Sequence, residues 1–276
     1  MAVLLCKLAL APTFVVLVSV IARRFGPRIG GVVGGLPVVA GPILLVLALQ
    51  RDDAFAAEAA RLSVLALAGL SAFVVIAARA PAAWHACGAV LVGWAAFLAI
   101  GALVTMLDLP LAAAAIASAA VFAAGLHWGI PAVPHVTSAA SRPPHDLLLR
   151  AVTAMVMVVA VTSASGALGP AWSGVLAPFP TVTSVLAGFS LAHDPRPTTQ
   201  RLLRSMLIGF FSFAAFLATI AATLEPWGTV PAFLAALAVT AAMQAVMLAV
   251  AARPSGATEA LPTVAEEFSG APRRPA

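Results

Sequence analysis

In a chain poor in reactive side chains, two segments rich in glycine and proline stand out. The first holds Gly30, Gly31, Gly34, Gly35, Pro37, Gly41 and Pro42; the second holds Pro178, Pro180, Thr181, Thr183, Ser184 and Gly188. A proline inside a helix removes one hydrogen bond and clashes with the preceding turn, and glycine loosens the backbone at the same place. The residues after each proline then offer free N–H groups and a positive helix end, while Thr181, Thr183 and Ser184 add hydroxyl donors and acceptors. Such a set could bind a small solute, with Gly34, Gly35, Pro37, Pro178, Pro180, Thr181, Thr183 and Ser184 as the expected contacts. A structural account stands beside it, since proline and glycine are common in membrane helices and small residues let helices pack closely.

Four cations form a second constellation. Lys7, Arg61, Arg150 and Arg204 each lie near the start of an apolar segment. They could draw anions toward two mouths of a pathway, or they could be anchors that snorkel at helix ends. All ten acidic residues fall in loops, at segment edges or near the C-terminus. A proton relay through the membrane centre needs a carboxylate or histidine there, and none is visible. Gln244, deep in an apolar run, reads as an interhelical hydrogen bond in preference to a ligand. His127, His135, His145 and Asp146 match no metal-ligand spacing, and there is no phosphate-binding loop, HExxH or GxSxG motif. No enzyme activity, metal or cofactor is therefore expected.

The elements that must carry these residues follow from composition. Of 276 residues, 62% are hydrophobic and 9% charged. A soluble domain carries about 25% charged residues, and there is too little polar surface here to cover a water-soluble fold. A soluble enzyme, a disordered chain and a nucleic-acid-binding domain are excluded, although the net charge is +5. Crossing a bilayer takes about 20 apolar residues in a helix. Nine such runs lie near 3–22, 30–49, 57–78, 84–106, 109–127, 148–168, 174–192, 202–223 and 229–252. Trp84, Trp128, Trp172 and Trp227 sit at their ends, as an interfacial belt requires, while Trp94 falls mid-span as a packing residue. Twelve arginines collect in the loops of one side and three basic residues on the other, which puts the N-terminus outside and the C-terminus in the cytoplasm. The arginines follow the first run instead of preceding it, unlike a signal peptide. Residues 253–276 are polar and Pro-rich and are expected to be disordered. Cys6 and Cys87 fall at opposite faces and do not pair.

The two glycine–proline segments are also copies of one another. FGPRIGGVVGGLPVVAG from Phe25 aligns without a gap to LGPAWSGVLAPFPTVTS from Leu168. The same register, which carries Phe25 onto Leu168, pairs Gly26 with Gly169, Pro37 with Pro180, Lys7 with Arg150, Arg61 with Arg204, Phe73 with Phe216 and Trp84 with Trp227. An odd span between the copies turns the second upside down. The expected architecture is an all-α polytopic integral membrane protein with a 4+1+4 inverted repeat. A first four-helix unit covers 1–108, a linker helix and cytoplasmic loop 109–147, the inverted unit 148–252, and a tail 253–276. Matched Gly/Pro-interrupted helices in two inverted halves are the pattern of a transporter site near the bilayer midplane.

GVLAPFPTVTSVLAGFSLAH (Gly174 to His193), GPRIGGVVGGLP (Gly26 to Pro37) and a basic residue in the first span of each unit, Lys7 and Arg150, resemble the small GlpM-like bacterial inner-membrane proteins. This chain is similar to a fused double of them, over about 5–108 and 148–251, with Leu109 to His127 as an addition. The resemblance implies a bacterial inner-membrane protein, in transport or in envelope polysaccharide metabolism, and carries over no catalytic residues. The sequence thus leads to a permease for a small solute, with anions among the candidates. A non-catalytic membrane factor supporting envelope or polysaccharide assembly is the alternative. The partners expected are the lipid bilayer and the solute, with no nucleic acid; a homo-oligomer stays open.

Overall fold

A computed structural model of the chain describes residues 2–81, 83–107, 109–133, 145–168, 175–176 and 178–252. The described residues are helical and contain no strand. Among them, ten α-helices follow in order: α1 (Ala2–Phe25), α2 (Pro27–Gly34), α3 (Ala40–Gln50), α4 (Asp53–Arg79), α5 (Ala86–Val104), α6 (Leu111–Ala124), α7 (Asp146–Leu168), α8 (Thr181–His193), α9 (Arg196–Trp227) and α10 (Thr229–Ala252). A π-helical turn, Gly125–Gly129, extends α6. Among the described residues five helices are long and apolar enough to cross a membrane: α4, α5, α6 with its π-turn, α9 and α10. The protein is a helical membrane protein. The expected tail lies outside the described residues, as do Trp172 and His135.

Local chemistry sets the helix boundaries. Asp52 caps α4, accepting a hydrogen bond from the Phe55 N–H at 2.6 Å, which satisfies one of the donors a helix start leaves free. Pro27 and Pro197 sit in the first turns of α2 and α9, where their missing N–H costs nothing. Gly26 and Gly228 take φ of +90° and +75° at the sharp links α1–α2 and α9–α10, a region side chains with a Cβ rarely adopt.

The hydrogen bonds between helix ends give their directions. Arg196, at the start of α9, donates to Ala80 O just past the end of α4, and Gln200 Nε2 donates to Ala78 O at 3.3 Å. At the other end Thr229 Oγ1, just past α9, donates to Asp53 Oδ1 at the start of α4, at 2.8 Å. The helices α4 and α9 are therefore antiparallel and pinned to each other at both ends. Arg23, at the end of α1, pairs with Asp146, the first residue of α7, and the two helices pack together.

The pair α4 and α9 forms the core, being the most buried of the five long helices. Register mates in the two helices are buried alike: Ala60 and Leu203, Val64 and Leu207, Phe73 and Phe216, Val74 and Leu217, Ala77 and Ile220. Between them runs α6, packed on both. Arg61 donates to Leu109 O before the start of α6, and Arg204 donates to Leu126 O and Ile130 O at its end. Arg79 donates to Trp128 O and Gly129 O there as well. The sequence reads 109–127 as an uninterrupted helix. The π-turn replaces its last turn, where these two arginines collect carbonyls that a regular helix would keep for itself.

Candidate functional site where two broken helices meet

The expected spans 30–49 and 174–192 are interrupted. In the first, α2 stops at Gly34 and α3 begins at Ala40. In the second, Val175 and Leu176 are helical, the chain turns, and α8 begins at Thr181. The backbone closes both interruptions the same way. Leu36 N–H donates to Val33 O (3.1 Å), Val38 N–H to Leu36 O (2.9 Å) and Gly41 N–H to Pro37 O (3.0 Å). Phe179 N–H donates to Leu176 O (3.0 Å), Thr181 N–H to Phe179 O (2.6 Å) and Ser184 N–H to Pro180 O (2.7 Å). These three bonds of one break have counterparts between the register mates of the other, while Gly35 N–H also donates to Val32 O (3.2 Å), a bond that its mate Pro178 cannot make. A broken helix at membrane depth must have its freed groups satisfied by protein. Gln244 of α10 does this for α2, its Nε2 donating to Val32 O at 3.1 Å, which is the interhelical role read from the sequence.

The two breaks meet at a cavity of about 30 Å³, room for about two waters. Among the described residues its wall is made of Gly34, Leu36, Val39 and Ala40 from the first break, Pro178, Phe179, Val182 and Thr183 from the second, and Leu70, Phe210 and Phe213 from α4 and α9. Leu36 and Phe179, Val39 and Val182, Ala40 and Thr183, and Leu70 and Phe213 are register mates. The only polar side chain in that wall is Thr183, which is buried.

Of the residues singled out from the sequence, Gly34, Pro178 and Thr183 line this cavity. Gly35, Pro37, Pro180, Thr181 and Ser184 stand beside it. Gly35 is used for packing: a Cβ there would lie 2.7 Å from Gly209 Cα. Gly31 likewise meets Leu202 O and Ser205, so α2 lies directly on the backbone of α9 through residues four apart on each helix. Ser184 accepts a hydrogen bond from Trp94 Nε1 at 2.8 Å. The sequence reads Trp94 as packing alone; the structure adds this bond and tilted ring contacts of Trp94 and Phe97 with Phe179. The apolar wall was beyond sequence reasoning. The offset read from the sequence, which carries Phe25 onto Leu168, pairs most of these positions, but apolar matches carry little information in so apolar a chain.

Of the four candidate anion-attracting cations, Arg61, Arg150 and Arg204 are not in the wall. The Lys7 side chain lies outside the described residues. Arg61 pairs with Glu58 at 2.6 Å and with Leu109 O. Arg204 holds the end of α6. Arg150 is buried, pairs with Asp146 at 2.9 Å, and lies 4.9 Å from the Phe189 ring centroid. Burial raises the affinity of the Asp146 carboxyl for a proton, but Arg150 and Arg23 outweigh it and hold that carboxyl below its ordinary value. Among the described residues no three of His, Cys, Asp and Glu come together as metal ligands.

In comparisons with known proteins, no family model, no curated protein and no solved structure matches this chain.

Proposed function

We propose that the protein is a transporter for a small solute, built as an inverted duplication, with its site at the cavity between the two broken helices. The observation that carries this is the cavity wall, most of which consists of register mates. In an inverted repeat such a wall lies on the pseudo-two-fold axis, where two gates related by that axis can open in turn. The matched hydrogen bonds of the two breaks support the duplication. So do the antiparallel directions of α4 and α9, which would run parallel in a direct repeat.

The same reading gives nine crossings, units 1–108 and 148–252, and the intervening helix on the axis. Arg61 and Arg204, register mates, hold the two opposite ends of that helix. The charge bias places the N-terminus outside and the C-terminus in the cytoplasm of a bacterial inner membrane. Each end-to-end contact joins segments which that bias puts on one side: Arg196 with Ala80, Arg23 with Asp146, Thr229 with Asp53. The resemblance to GlpM-like inner-membrane proteins belongs to this proposal too.

A wall with one hydroxyl and no charge favours an uncharged solute at the centre, since an ion stripped of water there would lack a partner. At about 30 Å³ the cavity holds about two waters, so a larger solute needs the two breaks to part. The same small volume favours the second reading, a membrane factor with a permanently packed centre. Thr183→Cys in a chain with Cys6 and Cys87 replaced by serine separates them, using a small water-soluble thiosulfonate in sealed vesicles. A transporter exposes the thiol to each face in turn, so the reagent labels it from both. A packed factor leaves it unlabelled from either face while an exposed control, Trp84→Cys, reacts.

A further inference from the structure

We infer that a second cavity, at the end of the bundle where α4 stops and α9 begins, is a binding site for a small zwitterion: an ammonium joined by a short link to an oxyanion. The cavity measures about 100 Å³, room for about seven waters. Among the described residues its wall includes Ala80 past the end of α4, Trp84 and Ala86 around the start of α5, and Asp194, Arg196 and Thr199 where α8 turns into α9. That turn is braced from within. Asp194 N–H donates to Ser190 O at 2.8 Å, Ser190 Oγ donates to Asp194 Oδ2 at 2.7 Å, and the buried Thr199 Oγ1 donates to Ser190 O at 3.0 Å. Ala80 O takes one N–H of Arg196, and a guanidinium has several more. A carboxylate and a guanidinium thus stand on the wall of one cavity, beside an indole.

The opposite end of the bundle shows what keeps the cavity open. On the proposed register Asp53 is the mate of Arg196, Arg51 of Asp194, and Thr229 of Ala86. There the corner is bridged, with Thr229 Oγ1 donating to Asp53 Oδ1 at 2.8 Å. Ala86 has a methyl group in the place of that hydroxyl, so no such bridge crosses to Arg196 and the space beside it stays open. The charges decide the ligand. A lone anion drawn to Arg196 would face Asp194, and a lone cation drawn to Asp194 would face Arg196. A zwitterion suits both, since a guanidinium fork fits an oxyanion, and a carboxylate can accept from an ammonium while keeping its bond to Ser190. Trp84, exposed at the helix ends, adds a ring that favours an ammonium and that is typical of headgroup depth. The ethanolamine phosphate of a phospholipid and free glycerophosphoethanolamine share this chemistry. The inference needs neither the transport reading nor the central cavity.

The test uses the full purified chain in nanodiscs of phosphatidylglycerol, with and without phosphatidylethanolamine, reading the melting temperature and the lipids retained in native mass spectra. Phosphatidylethanolamine should raise the melting temperature of the wild type and be retained in preference to phosphatidylglycerol. Arg196→Gln and Asp194→Asn each remove one charge and should each weaken binding about tenfold or more. Ala86→Leu fills the cavity with both charges kept and should weaken binding as much; it carries the test if a charge variant does not fold. Arg24→Gln removes a cation outside the cavity wall and should bind as the wild type does. A separate arm adds glycerophosphoethanolamine to nanodiscs of phosphatidylglycerol alone. A stabilisation there that Ala86→Leu abolishes assigns the site to the soluble zwitterion; no stabilisation, with phosphatidylethanolamine still preferred, assigns it to the lipid. Equal retention of the two lipids by the wild type with no response to glycerophosphoethanolamine overturns the inference, as does wild-type binding in any folded one of Arg196→Gln, Asp194→Asn and Ala86→Leu.

Discussion

The two breaks share three matched backbone hydrogen bonds but are held in place by different means. The first is seated mainly on backbone: Gly31 of α2 and Gly35 at its end lie against Leu202 O, Ser205 Cβ and the Gly209 backbone of α9. The second is held by side chains: Phe179 rests on Trp94 and Phe97, and Trp94 binds Ser184. Glycine-to-glycine contact has no rotamers to adjust, whereas aromatic rings and a single hydroxyl bond can rearrange at modest cost. If the two breaks are copies, as proposed, one has been made rigid and the other adaptable. On this view the first break is the fixed wall of the site and the second is the part that moves.

The largest expected effect lies at the anchor of the second half. Asp146→Asn leaves Arg150 buried beside Arg23 without a carboxylate, and should cost about 3–5 kcal/mol in equilibrium unfolding in detergent. The same pair makes stability depend on pH. Because the Asp146 carboxyl is depressed in the folded protein, its contribution is complete above the unfolded value of about 3.9 and fades as pH falls further. Next comes the contrast between Gly35 and its register mate, Pro178. Gly35→Val forces α2 off α9 and should cost about 1–3 kcal/mol, whereas Pro178→Val nearly conserves volume and should cost less than about 1.5 kcal/mol. Equal losses at both positions would remove the distinction between a rigid and an adaptable break. A smaller effect is expected from Trp94→Phe, about 1 kcal/mol from the bond to Ser184. The loss should not add to that of Ser184→Ala, because both remove the same bond. The smallest is Glu58→Gln, within about 1 kcal/mol, since Glu58 is half exposed and its pair with Arg61 sits in water.

Much of the scaffold was legible because it depends on residue types that leave a mark. Apolar runs of spanning length, the helix-breaking prolines and the charges at loop positions gave the helices and their order. The rare residues Gly26, Lys7, Arg61 and Trp84 set the register of the proposed repeat. The site was only partly legible. Gly34, Pro178 and Thr183 were readable because breaks in helices are written in glycine and proline. The long-range partners of Arg61, Arg79 and Arg204 were not, because those acceptors are backbone carbonyls, which every residue has. For the same reason the π-turn at Gly125–Gly129 left no signal. Nor could the sequence show that α2 rests on α9, a helix of the opposite half, since Gly31, Gly35, Ser205 and Gly209 fit many neighbours.

The opposed direction of the two halves is the central claim, and two register mates test it most directly. Trp84 and Trp227 are both exposed, the first just before α5 and the second at the end of α9. Each is replaced by cysteine in the Cys6→Ser, Cys87→Ser chain, and intact cells are treated with a maleimide that cannot cross membranes. Trp227→Cys should be labelled in intact cells, and Trp84→Cys only after the membrane is opened. Labelling of both from the same side would mean that the halves point the same way, and the inverted arrangement, with the shared site on its axis, would be wrong.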